Sequence, residues 1–172
     1  MGNDNDSNND NDNENVISIF SKINDAGSGA ATGFSKAGGS MRFFHKGSVN
    51  LKYYGSGWGG GSKAKIKTYK SAKIGGTLSK IANGVGLAFS LYNMYDAYKE
   101  DGNKLGKNCK KTACSEAGSW VGATAGSTAG AAIGSAYAPG IGTIIGGIIG
   151  GVAGGIGGEK GGESIGNAIY DE

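Results

Sequence analysis

The chain has little of what usually builds catalytic sites. Its 172 residues include one proline, Pro139, one histidine, His45, and two cysteines, Cys109 and Cys114. A single histidine between Phe44 and Lys46 has no partner set for nucleophilic or metal chemistry. The cysteines are spaced C-x4-C with no second pair, which argues against zinc. A disulfide and a pair of free thiols both stay open for them. No glycine run continues into GxxxxGK[ST], so a phosphate-binding loop is excluded. No catalytic residue, metal site or cofactor is expected, and the chain is read as a non-enzyme.

Charge is missing in two places. Between Asp25 and Asp96 there are ten bases and no acid. Between Glu116 and Glu159 there is no charge at all, and glycine occupies every fourth position. Gly118, Gly122, Gly126, Gly130 and Gly134 share one phase, which resumes after Pro139 at Gly142, Gly146, Gly150, Gly154 and Gly158. A second row, Gly147, Gly151 and Gly155, runs beside the second arm. Residues four apart share a helix face, so the glycines make a groove that a second helix can approach closely. Ile144, Ile145, Ile148, Ile149, Val152 and Ile156 fall together on the other face. Isoleucine favours strands, but at period two each face would mix isoleucine with glycine and neither would be smooth.

The dimensions suit a membrane hairpin. Residues 117–137 and 141–158 are, as helices, roughly 31 and 27 Å long, and a hydrocarbon core is about 30 Å thick. Pro139-Gly140 is an uncharged turn signal between them. In water, fifteen glycines between Ala117 and Gly158 oppose helix formation by about 1 kcal/mol each. In lipid the backbone must satisfy itself, which restores the helix. The first arm is only weakly apolar, so insertion is expected to be conditional. The lining such a hairpin offers a pore is limited to Ser119, Thr124, Ser127, Thr128, Ser135 and Thr143. Enclosing a channel therefore calls for several copies or for lipid.

The expected fold is mainly α, with three regions. Residues 1–40 form a disordered acidic leader and a flexible joint: residues 1–15 hold five acids and no base, and GSGAATGFSKAGG follows. The leader is not a secretory signal, so export by specialised machinery is expected. Residues 41–75 form a basic aromatic segment with strand-like alternation at Asn50–Tyr54 and Lys63–Tyr69, a small β-hairpin around a glycine loop carrying Trp58. Residues 76–172 are helical. An amphipathic helix over Thr77–Lys99, with Thr77 as its start cap and Gly102 at its end, precedes a lysine-rich linker and the zipper hairpin of 117–158.

The basic segment suits an anionic lipid surface, with Tyr53, Tyr54, Trp58, Lys63, Lys65 and Lys67 as docking residues. Lysines on phosphate with stacked aromatics also describe nucleic-acid binding, but beside a membrane hairpin lipid is preferred and no nucleic-acid partner is expected.

The stretch VNLKYYGSGWGGGSKAKIKTY, followed by a helix and a glycine zipper, resembles the carboxy-terminal toxin domains of polymorphic toxins, including those attached to Rhs-repeat proteins and type VI secretion effectors. The resemblance spans roughly residues 49–158. It implies interbacterial delivery by a secretion apparatus or chaperone, depolarisation of the target-cell membrane, and a cognate immunity protein. The expected function is thus an antibacterial, pore-forming toxin, with a homo-oligomer as one route to a pore. The rival readings are a nuclease toxin using the basic segment and a structural glycine-zipper protein of the cell envelope.

Overall fold

The computed structural model describes residues 6–57 and 67–171, with side chains from Ser18 onward. Four long helices run up, down, up and down beside a small sheet: α1 Asp6–Ala37, β1 Ser40–His45, β2 Ser48–Tyr54, β3 Tyr69–Lys70, α2 Ser71–Glu100, α3 Lys107–Tyr137 and α4 Ile141–Tyr170. The chain is mainly helical, as the four-residue glycine period predicts. Trp58, Lys63 and Lys65 lie outside the described residues.

The flexible joint expected before residue 40 is a helix. Glycine there serves close approach, not freedom. A Cβ on Gly33 would lie 2.7 Å from the Ile144 Cα, and one on Gly147 would lie 2.9 Å from the Gly33 Cα, so α1 and α4 meet backbone to backbone. Gly38 and Gly39, with φ of 65° and 63°, end α1 in the left-handed region.

The hairpin is also built differently from the expected one. β2 pairs with β1, Ser40 opposite Tyr54 and Phe44 opposite Val49, through the two-residue turn Lys46-Gly47. Both turn residues have positive φ, 49° and 78°, which matches the twist of an antiparallel pair. β3 joins β1 on its other edge, giving the order β2-β1-β3. Lysine is uncommon in the left-handed region, so the residues alone do not announce this turn.

α2 starts at Ser71, six residues before Thr77, whose hydroxyl instead donates to the Lys73 carbonyl within the helix. Its C-terminus follows expectation: Gly102, φ 69°, donates its N–H to the Lys99 carbonyl. The lysine-rich linker is mostly the start of α3. There Asp101 accepts the Asn108 and Cys109 backbone N–H groups at 3.1 and 2.9 Å. It thereby satisfies two donors that a helix start leaves free. Cys109 and Cys114 are free thiols.

Large side chains do not fill the centre. The buried apolar residues are mostly alanine, such as Ala31, Ala82, Ala123 and Ala131, and the largest fully buried side chains are Ser71 and Ser127. α2 turns Gly75, Ala82, Gly86 and Ala97 inward and leaves Ile81, Leu87, Leu91 and Tyr95 exposed. Of the apolar positions expected at helical spacing, Ala82 is buried and Phe89 stacks on Phe20 of α1, while Ile81, Val85, Tyr92 and Tyr95 point away from the bundle. On α4, Ile144 is buried against α1 while Ile145 and Ile149 face outward.

Candidate functional site

The two arms lie antiparallel and their glycine rows meet in register. Gly118 faces Gly158, Gly122 faces Gly154, Gly126 faces Gly150, Gly130 faces Gly146 and Gly134 faces Gly142. At every one of these ten positions an added Cβ would sit less than 3.0 Å from the opposing backbone carbonyl oxygen, closer than real Cβ atoms come. The row continues past the uncharged stretch, where Gly162 abuts the Cys114 backbone and Gly166 abuts Lys111. A Lys111–Asp171 ion pair ties the outer ends together. At this distance the helices gain dispersion and Cα–H···O contacts along their whole length, and the seam has no room for a lumen.

The second glycine row has its own partner. Gly147 and Gly151 abut Gly29 and Gly33 of α1, and Gly155 abuts the Asp25 carboxylate. Glycine therefore grooves α4 on two sides, and the second groove has its sequence counterpart in the four-residue spacing of Asp25, Gly29 and Gly33.

The turn Ala138-Pro139-Gly140 closes the hairpin, with Gly140 at φ 89°. It is not free. The Tyr53 ring lies against Gly140, leaving no room for a Cβ, and its hydroxyl donates to the Ala37 carbonyl at 2.8 Å. Tyr53, expected as a lipid-docking residue, therefore braces the tip in this structure. The Lys52 ammonium sits over the Tyr54 ring and the Lys67 ammonium over the Tyr69 ring, at 5.8 and 5.6 Å. The sheet exposes apolar residues that its strand-like alternation does not single out: Phe44, Val49 and Leu51 are each more than 60% exposed, near Lys46 and Lys52 in the chain. Sheet and tip share one end of the molecule.

A polar cleft runs beside the seam, between α1, α2 and α3. It holds about 230 Å³, and a neighbouring hollow reaching Glu159 holds about 300 Å³. Of the hydroxyls expected as a pore lining, Ser119, Thr124 and Ser127 face this cleft, while Thr143 is buried and Thr128 and Ser135 are not buried. Ser127 donates to Thr32 at 3.3 Å. Glu116 accepts from the Ser90 hydroxyl and from the Asn93 amide at 2.6 Å, and the Trp120 indole donates to Ser90 at 3.2 Å. Asp25, on α1 and outside the two arms, is pushed up from 3.8 to about 6, chiefly by burial and then by Glu159 and Glu116. Burial, with Glu116 and Glu163 nearby, also raises Glu159, just past the arm end.

α4 is long and apolar enough to cross a membrane, by length and composition. The core helix of a soluble protein passes the same test when mostly buried; here only 28% of the apolar window is buried. Residues 102–161 match the family model described as C13G5.2-like, glycine zipper domain. The chain carries a glycine-zipper domain. Its seam is the contact just described, and such a domain fits a membrane-associated role. No curated protein and no solved structure matches the chain.

Proposed function

We propose that the protein is an antibacterial toxin that enters the target-cell membrane through its glycine-zipper hairpin and lets ions leak, acting physically and not as an enzyme. One observation carries this reading: the bundle is held mainly by glycine, alanine and serine inside, while most of its large aliphatic side chains, among them Ile81, Leu87, Leu91, Ile133, Ile145 and Ile149, face out. Water does not favour such a distribution, because a soluble fold draws its stability from burying those side chains. In lipid, outward apolar residues are at home and small-residue seams hold helices together.

The geometry suggests an order of events. The Phe44-Val49-Leu51 patch and its lysines meet anionic lipid, with the Pro139-Gly140 tip already at that end. Tyr53 leaves Gly140, and the arms enter tip first with the seam intact. Glu116, Glu159 and Lys160 stay at the entry side. Delivery by a specialised secretion apparatus or chaperone and neutralisation by a cognate immunity protein belong to the same proposal, as does assembly of several copies. The resemblance to polymorphic toxin domains supports these parts.

Expression in a bacterium loaded with a membrane-potential dye tests the reading. Rapid depolarisation with intact DNA and RNA is the expected result. Nucleic-acid loss before depolarisation would make the chain a nuclease, and growth without either effect would leave a structural envelope role.

A further inference from the structure

The contact between α1 and α4 is nearly as close as the seam between the arms, yet the two contacts cannot share one fate in a membrane. Gly29 and Gly33 meet Gly147, Gly151 and Ile144 backbone to backbone, and a Cβ added to Gly29 would lie 2.4 Å from the Gly147 carbonyl oxygen. α1 thus fills the second groove of α4 along much of the length that the arms would bury in lipid. The arms carry no charge over residues 117–137 and 141–158, but α1 does. Its uncharged stretch, residues 26–35, lies between Asp25 and Lys36. That stretch measures roughly 15 Å at 1.5 Å per residue, about half of a hydrocarbon core. Asp25 packs against Gly155, inside the arm end at Gly158. Crossing beside α4 would therefore carry a charge into the core at each end of the groove.

The connectivity points the same way. α1 ends at Ala37 and passes through Gly38 and Gly39 directly into β1, and the Tyr53 hydroxyl ties the sheet to the Ala37 carbonyl. A sheet that meets the headgroups keeps this end of α1 at the surface while the tip beside it moves inward.

We propose that α1 is a latch. It holds the hairpin in the closed bundle by occupying the second glycine groove of α4, and it peels from that groove before the arms enter. The proposal rests on the membrane reading and adds to it the contact that has to open. Glycine then serves two ends on one helix: the Gly118–Gly158 seam stays shut throughout, and the α1 contact is releasable.

A reversible cross-link tests this on the purified full-length chain. The Ser127 hydroxyl donates to the Thr32 hydroxyl at 3.3 Å, a spacing that two thiols can bridge with little backbone movement. Ser127 is the midpoint of residues 117–137, so a Thr32→Cys, Ser127→Cys disulfide fastens α1 to the part of the arm that goes deepest. The native Cys109 and Cys114 lie at least about 20 Å from Ser127 along α3, out of pairing range. Potassium release from phosphatidylethanolamine–phosphatidylglycerol vesicles is compared before and after dithiothreitol. The oxidised variant is expected to lose release, and reduction to restore it to the parent's rate. Release at the parent's rate from the oxidised variant overturns the latch and leaves the membrane reading standing. A parent that releases nothing overturns both.

A second variant needs no cross-link. Gly29→Ala sets a methyl group on α1 against the Gly147 backbone while every glycine of both arms remains, so it loosens the latch and spares the seam. Release is expected to be at least about fivefold faster than the parent's, the fold-change of a mild overpacking penalty on the closed state. Unchanged or slower release overturns the proposal.

Discussion

Gly126 and Gly150 face each other so closely that a methyl group on either would overlap the other's carbonyl oxygen. The clash is with backbone, which cannot rotate away as a side chain can. Gly157, on the far side of α4, meets nothing within 4 Å of an added Cβ. Two glycines on one pair of helices are therefore opposite in character. Gly126→Ala or Gly150→Ala should force the arms apart and lower stability by several kcal/mol, the scale of overpacking spread along a seam. Gly157→Ala should stabilise by about 0.5–1 kcal/mol through helix propensity. Denaturant unfolding followed by circular dichroism separates the two.

The tip contact makes a kinetic prediction. Tyr53 covers Gly140 and ties the sheet to the end of α1. Tyr53→Ala should free the hairpin tip, lower stability in buffer and speed association with anionic vesicles several-fold, as expected when a contact worth about 1–2 kcal/mol holds a closed state. Tyr53→Phe keeps the ring on Gly140 and loses only the hydrogen bond, so its acceleration should be smaller. Stopped-flow fluorescence with labelled vesicles reads both rates.

Legibility followed the chemistry of each residue. The Gly118–Gly158 rows and the Pro139-Gly140 turn were plain because a four-residue glycine period has one economical meaning on a helix. The α1 helix was hidden, because Gly27, Gly29 and Gly33 look like a flexible joint until α4 is placed against them. The strand pairing was hidden because β1 and β2 meet through Lys46-Gly47, with no asparagine or aspartate to announce the turn. For α2 the helical period holds but the stripe divides: Ile81, Val85, Tyr92 and Tyr95 face out, whereas Ala82, flanked by Gly75 and Gly86, makes the contact and Phe89 stacks on Phe20. The cleft was out of reach altogether, since Asp25, Asn93 and Glu116 come from three helices far apart in sequence.

Asp25 couples stability to pH. Its pKa is raised in the fold from 3.8 to about 6, so the folded chain holds the proton more tightly than the unfolded one. Stability from this group is full below about pH 3.8 and is lost as pH rises through about 6. Lys22 on α1, Asp96 on α2, Glu116 on α3 and Glu159 on α4 share its hollow. Asp25→Asn should gain about 1–2 kcal/mol at pH 8, allowing for partial solvent access, and nothing near pH 4. Urea unfolding at the two pH values measures the difference.

Asp101 behaves in the opposite sense. The Cys109 backbone N–H, and then that of Asn108, hold its carboxyl below the usual range against a smaller opposing effect of burial. Its contribution is present above about pH 3.8 and disappears as pH falls through the lowered value. Asp101→Ala should fray the start of α3 at neutral pH and remove part of the acid-induced loss. Hydrogen exchange of the Asn108 and Cys109 amides reports it directly.

The sheet patch is testable apart from the hairpin. Phe44, Val49 and Leu51 are all largely exposed. A Phe44→Ser, Val49→Ser, Leu51→Ser triple variant should keep its midpoint within about 2 °C, as surface changes usually do. It should bind anionic vesicles at least about tenfold more weakly, given the apolar area removed. Vesicle flotation gives the bound fraction.

The central claim is that a seam of glycine holds two arms that prefer lipid to water. Ion release from anionic vesicles by the purified chain tests it most directly, with Gly126→Leu and Gly150→Leu measured alongside. The account predicts rapid release by the parent and sealed vesicles with either variant. Vesicles that stay sealed with the parent, or that leak equally with all three proteins, would contradict it.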